Sequence, residues 1–254
     1  MPAAKTISVI VPTYNCSDKI KNCLESIKWA TEIIIVDMGS TDNTLSICRK
    51  YQAKIYRNIP PDGNFDRNRK LGMKIARSDW LLKLDSDEVL SLNLQNEIQE
   101  FLNGDDDGKI NGFNFYNRVF MFGKQIKHGF VKPHSHELRM VRKGKWHYNP
   151  YRFHQQITVD GKVASFINSY DHFNYKNISE FFKKTNVYTE LDSEIAAKNT
   201  QISVKQIIAS PLKSFLKLYL LQLGFLDKFT GFIVCFLYAI YNLIEKIKVF
   251  EKSG

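Results

Sequence analysis

The sequence predicts an α/β fold in which an open, mostly parallel central sheet is flanked by helices, with a small antiparallel extension and a C-terminal helical hairpin. Three observations carry this. Residues 7–11 and 33–36 run apolar and β-branched, as strands do when a parallel sheet is covered on both faces. Between them Ile20, Cys23, Leu24 and Ile27 fall on one helical face, which completes a strand–helix–strand unit. Beyond residue 108 this alternation gives way to longer strand-like segments and then to helices.

Taken in order, residues 18–29 form the first helix and residues 41–49 the second, capped by Ser40 or Thr41 with favourable charge from Asp42. A strand at 53–56, a helix at 67–76 and a strand at 80–84 continue the alternation. The polar tract at 103–108, NGDDDG, is a surface turn. Residues 112–122 and 137–141 read as antiparallel strands, separated by a loop rich in His and Lys, that cover one side of a cleft. From about residue 179 the chain is helical.

A chain of 254 residues with 44% hydrophobic and 24% charged side chains has an ordinary globular composition, which excludes a disordered or fibrous protein. Its net charge of +10 favours a polyanionic partner: phosphates, nucleic acid or an acidic membrane face. Cys16, Cys23, Cys48 and Cys235 show neither metal-ligand spacing nor a disulfide framework, so a reducing compartment is expected. The apolar run at 7–11 is too short for the core of a signal peptide, and a cytoplasmic location follows.

The C-terminal region is unusual. Residues 229–244 are almost wholly apolar, 16 positions against the roughly 17–25 that span a bilayer, and an apolar segment at 212–225 precedes them. From Lys205 onward seven Lys face three acids. Apolar helices with Lys and Tyr at their edges suit the surface of an anionic membrane; a buried hairpin packed on the rest of the chain is the alternative.

Residues 79–90, DWLLKLDSDEVL, carry the strongest chemical signal. The apolar strand ends by presenting Asp85 and Asp87 on one side, because strand side chains alternate with period two, and open α/β sheets bind ligands at the carboxyl ends of their strands. Paired carboxylates there can hold a magnesium or manganese ion that completes its shell with substrate phosphates; a capped turn is the plain alternative. The first strand ends at Pro12, Tyr14 and Asn15, and the second runs into Asp37 and Asp42. Both exits offer a ring and hydrogen-bonding groups for a nucleoside.

VPTYN at 11–15, VDMGSTDNT at 36–44, RKLGMKIARSDW at 69–80 and LDSDE at 84–88 resemble the successive motifs of glycosyltransferase family 2, the inverting GT-A type. The tract at 118–129, the strand carrying Arg139 and the ending at 220–242 are similar to bacterial enzymes that add glucose or a related sugar to the lipopolysaccharide core.

The resemblance implies a GT-A, Rossmann-like catalytic domain at 1–178, with a nucleotide-sugar half at 1–102 and an acceptor half at 103–178; the helical region at 179–254 that follows is the one whose composition suits a membrane surface. The resemblance further implies that Pro12, Tyr14, Asn15, Asp37, Asp42, Arg69 and Asp85 surround the donor, a UDP-sugar, and that Asp85, Asp87 and His172 serve a Mg or Mn ion. Relatives show His-Glu where this chain has His154-Gln155-Gln156, and an amide cannot accept a proton. Glu137, His154, Asp171 and Glu88 remain as candidate bases, Glu137 coming first if it sits across the cleft from Asp87 and being otherwise a solvated strand residue. The expected acceptor is an anionic glycolipid or lipopolysaccharide core at the inner face of the cytoplasmic membrane, met by the basic, aromatic tract at 118–151, with no nucleic acid involved. A non-catalytic sugar-binding relative and a nucleotidyltransferase are the alternatives; the latter would want a Gly-rich phosphate loop after the first strand, which Pro12-Thr13-Tyr14-Asn15 does not provide.

Overall fold

A computed structural model describes residues 4–60, 63–131, 136–148, 157–199 and 202–253. Strand β1 (Ile7–Thr13), helix α1 (Ile20–Ile27), β2 (Glu32–Asp37), α2 (Thr44–Lys50), β3 (Lys54–Arg57), α3 (Phe65–Ile75) and β4 (Trp80–Lys83) give the alternation the apolar pattern predicts. Then come β5 (Glu88–Leu90), α4 (Leu92–Asn103), β6 (Ile110–Met121), β7 (Lys124–Ile126), β8 (His136–Arg142), β9 (Trp146–Tyr148), β10 (Ile157–Val159) and β11 (Lys162–Tyr175). Helices α5 (Ile178–Asn199), α6 (Val204–Leu216) and α7 (Lys228–Ser253) close the chain, the last two joined through a π-helical turn at Lys217–Leu221 and a short turn at Gly224–Asp227. The main sheet runs β3-β2-β1-β4-β8-β6-β11-β5, with β7 paired to β6. Its first four strands are mutually parallel, and β8 joins β4 antiparallel.

The chain divides into two compact units. The first is Met1–Asn117 with His136–His172; the second is Arg118–Ser135 with Phe173–Gly254.

In the first unit the two-residue period of the strands sorts side chains onto two faces. Ile7, Val9, Val11, Ile33, Ile35, Trp80 and Leu82 pack with α1 and α4 on one side, while Ile10, Ile34, Val36 and Leu81 pack with Met73 of α3 on the other. All seven residues of β1 are buried, as a central parallel strand requires. Pro12 sits within this strand. Even-numbered residues of β1 turn their backbone toward β4, as the bond from Leu84 N–H to the Ile10 carbonyl shows. β4 is paired only as far as Ile10, so the amide hydrogen that Pro12 lacks is missing where no partner strand remains. Gly72 lies against Ile10 and Val36, and a side chain there would collide with Ile10.

The second unit has its own core, in which Val119, Met121 and Ile126 of the β6–β7 hairpin meet Tyr175, Phe181, Val234 and Leu237. Phe130 stacks on Tyr238 at 4.0 Å between ring centres. Helix α7 packs on both α5 and α6. No single described helix is long and apolar enough to cross a membrane, although the bent pair Val204–Leu221 and Gly224–Ser253, which meet at 74°, together have the length and apolar composition of a span.

Candidate active site

The site builds up from the carboxyl ends of β1, β2 and β4, which share an edge because the strands are parallel: Thr13 stands opposite Asp37, and Ile10 opposite Lys83. At the first exit Tyr14 is exposed, and Asn15 takes a left-handed φ of 43°, a conformation asparagine tolerates. Asn15 Oδ1 accepts the Thr41 N–H at 2.8 Å, and its own N–H donates to Ser40 Oγ at 3.0 Å. The expected donor-binding pair at the second exit is engaged within the protein. Asp37 is fully buried and accepts hydrogen bonds from Thr13 Oγ1, Ser40 Oγ and the N–H groups of Gly39 and Ser40. These four bonds tie the Asp37 carboxylate to Thr13 and the 37–40 turn. Asp42 accepts from the N–H groups of Ser17 and Thr44. Desolvation pushes its pKa up, but the Thr44 and Ser17 hydrogen bonds outweigh that and hold it at about 2.

Asp85 and Asp87 of the LDSDE segment do not ride on a strand. β4 ends at Lys83, and the chain turns so that the Glu88 N–H donates to the Asp85 carbonyl at 3.0 Å. Two-residue alternation therefore does not operate at Asp85 and Asp87, and they part company. Asp85 Oδ1 accepts from Arg69 Nε at 3.0 Å and Nη2 at 2.7 Å, while Arg69 Nη1 donates to Asp66 at 2.6 Å. Desolvation works against the Asp85 charge, but the Arg69 and Arg139 charges overcome it and place its pKa well below the carboxylate range. Asp87 approaches His172 of β11, with Oδ1 and Nε2 3.6 Å apart.

Among the described residues no three His, Cys, Asp or Glu side chains form a metal cage, so the expected trio Asp85, Asp87 and His172 does not gather as one ligand set: the guanidinium of Arg69 holds Asp85. The Asp87–His172 pair does fit a divalent cation. Donors bound to one ion at about 2.1 Å each can stand up to about 4.2 Å apart, and a cation of this kind completes its shell with substrate phosphates.

Behind the turn lies an ionic network that composition alone does not reveal. Glu88 is fully buried and receives Arg139 through two parallel hydrogen bonds; its Oε2 also accepts the Asp85 N–H at 2.8 Å. Burial raises the Glu88 pKa. Arg139 Nη2 also donates to Tyr170 Oη and to Glu137 Oε2, both at 2.7 Å. Glu137 Oε1 accepts from Lys83 Nζ at 2.9 Å. Desolvation raises the Glu137 pKa, but the Arg139 and Lys83 charges win and hold it at about 2. Asp66, Arg69, Lys83, Asp85, Glu137 and Tyr148 are among the walls of a cleft of about 460 Å³.

The candidate bases separate accordingly. Glu137 faces this cleft, and Glu88 is sealed beneath it. Asp171 is one residue from both Tyr170 and His172 on β11, so it points to the opposite face of the sheet. His154 lies outside the described residues. The basic tract also thins: Arg139 is committed to Glu88, and Arg142 donates to Asp106, Asn111 and the Ile110 carbonyl while lying over the Trp80 ring at 4.6 Å. Lys83, Asp66 and Tyr148 were not anticipated. Lys83 falls at the polar end of an apolar strand, and that position was the one available signal.

Comparison with known proteins agrees with this architecture. The family model described as "Glycosyl transferase family 2" matches residues 8–178. The chain is similar to "Lipopolysaccharide core biosynthesis glycosyltransferase LpsC" of Rhizobium meliloti (strain 1021), 25% identical over 258 residues that cover 98% of this chain and 93% of that protein. It is also similar to an uncharacterized glycosyltransferase of Rickettsia prowazekii (strain Madrid E), 23% identical over 98% of this chain and 88% of that one. Among solved structures, S. aureus TarS 1-349 in complex with UDP-GlcNAc shares the fold, with a TM-score of 0.51 and 17% identity over 98% of this chain and 89% of that one.

Proposed function

Because the chain belongs to glycosyl transferase family 2 and is a glycosyltransferase, we propose that it transfers a hexose, with inversion, from a UDP-sugar to a lipopolysaccharide-core or other lipid-linked acceptor, using a divalent cation. The observation that carries the reading is the division of labour at the 84–88 turn. One face holds a pre-set Arg69–Asp85 pair, and the other offers Asp87 and His172 as two donors within reach of one ion. The donor class rests on the shared fold of TarS, solved with UDP-GlcNAc, and the acceptor class on the name of the LpsC relative.

In this reading the exposed Tyr14 ring stacks on the base, and the Asp37 turn with Asn15 fixes the loop that carries it. Asp85, kept ionised by Arg69, accepts from a donor hydroxyl. Asp87 and His172 would hold the cation, which when bound offsets the negative charge that grows on the departing diphosphate. Glu137 orients the acceptor hydroxyl on the cleft side and takes its proton late, as positive charge on the sugar drains toward the new bond. A carboxylate with a pKa near 2 is a weak base but stays ionised across the physiological range, and Lys83 and Arg139 fix its position.

The test is release of nucleoside diphosphate by the purified protein over a panel of nucleotide-sugars with manganese or magnesium. Turnover with a UDP-hexose, abolished in Asp87→Ala, is expected. Failure of every donor to bind would sink the reading.

A further inference from the structure

The second unit carries an exposed apolar edge to which the proposed transfer assigns no role. On α6, Val204, Ile208, Leu212 and Leu216 recur every fourth residue, and all four are exposed, Ile208 at 70%. The stripe runs on through Leu220 to the bend before α7, where Leu221 is 80% exposed and Phe229 74%, with Leu223, Phe225 and Leu226 between them. Side chains of this size left in water along a continuous edge mark a contact surface.

The backbone is built to hold them out. Leu223 and Lys228 adopt left-handed φ values of 60° and 56°, which side chains rarely accept, and Gly224 and Gly231 pack so closely that a side chain on Gly231 would collide with the Gly224 carbonyl. Asp227, the only acid between residues 203 and 229, is turned inward: its carboxylate is 8% exposed and accepts the N–H groups of Lys127 and His128, with His128 Nδ1 at 3.0 Å. What remains outside is uniformly cationic, since Lys205, Lys213, Lys217 and Lys228 are all exposed.

We infer that the edge formed by α6 and the 217–229 bend docks on an anionic lipid bilayer, with Leu221, Phe225 and Phe229 entering the headgroup boundary and the four lysines meeting lipid phosphates. The charge decides between occupants. A second copy of this chain would bring a like-charged rim, whereas an anionic leaflet complements it. The two segments meet at a 74° bend, and neither helix alone is both long and apolar enough to span. The inference does not rest on the transferase reading, because it concerns binding of the full chain to lipid in the absence of any sugar.

The experiment is flotation of the full-length protein with phosphatidylcholine vesicles and with vesicles that also contain phosphatidylglycerol. Binding to the anionic vesicles, at least about tenfold stronger than to the neutral ones and weakened by salt, is expected. Leu221→Asp with Phe229→Asp should abolish it, and Lys217→Glu with Lys228→Glu should reduce it more than about tenfold. Both pairs are surface changes, so unaltered circular dichroism and thermal unfolding would establish that the variants fold. Absence of binding to either vesicle overturns the inference. So does binding that survives the two aspartates, or a salt-resistant dimer in solution that those aspartates dissociate.

Discussion

Arg139 and Glu88 meet in a buried fork, Nη1 to Oε2 at 2.9 Å and Nη2 to Oε1 at 2.8 Å, and this fork ties β8 to the turn that carries Asp85 and Asp87. Removing one partner leaves a charge in the protein interior with nothing to neutralise it. Arg139→Met is therefore expected to cost about 3–5 kcal/mol of stability, while the double variant Arg139→Met, Glu88→Met recovers much of the loss because no orphaned charge remains. Urea unfolding measures both. A wild-type midpoint for Arg139→Met would show that the fork holds nothing together.

Asp87 and His172 are expected to act as a pair. Asp87→Ala and His172→Ala should each lower kcat/KM by about a hundredfold or more and raise the manganese concentration needed for half activity. Chelation of the wild-type enzyme should abolish turnover and re-addition restore it. Metal titrations of steady-state rates check the pair, and an unchanged metal requirement in both variants would remove it from the site.

The depressed pKa of Asp85 makes an acid-side prediction. A carboxyl whose folded pKa lies below its ordinary 3.8 adds stability at higher pH and loses it as pH falls through and below the ordinary range. Arg69→Met removes much of that depression, so its unfolding free energy should fall less steeply than that of wild type between about pH 5 and pH 3. Parallel curves for the two proteins would mean that Arg69 does not control Asp85.

Glu137 and Asp171 are told apart by substitution. Glu137→Gln should lower kcat by about a hundredfold with little change in donor KM, whereas Asp171→Asn, on the opposite face of β11, should leave kcat within about threefold of wild type. Because Glu137 titrates near 2, an acid limb between about pH 4 and pH 7 in the kcat profile would have to come from another group.

Much of this is legible in the sequence alone. The apolar period places β1, α1, β2 and β4 within two or three residues, and their parallel order brings Tyr14, Asp37 and the 84–88 segment to one edge. What failed was the extrapolation of strand alternation past Lys83, because sequence period says nothing about where a strand yields to a turn. Glu88 and Arg139, separated by 51 positions, could not be paired from sequence, and so neither the sealing of Glu88 nor the low pKa of Glu137 could be foreseen. Helix α4 went unassigned, its apolar side chains diluted by Asn and Gln.

The second unit is assembled from two stretches of chain, Arg118–Ser135 and Phe173–Gly254. Val119, Met121 and Ile126 come from the earlier stretch and are covered by Tyr175, Phe181, Val234 and Leu237 from the later one. Cutting the polypeptide ahead of its final helices would strip that cover and leave a greasy hairpin behind, an invitation to aggregate rather than a trimmed enzyme. Exchange of this unit with a relative's must transplant both stretches together.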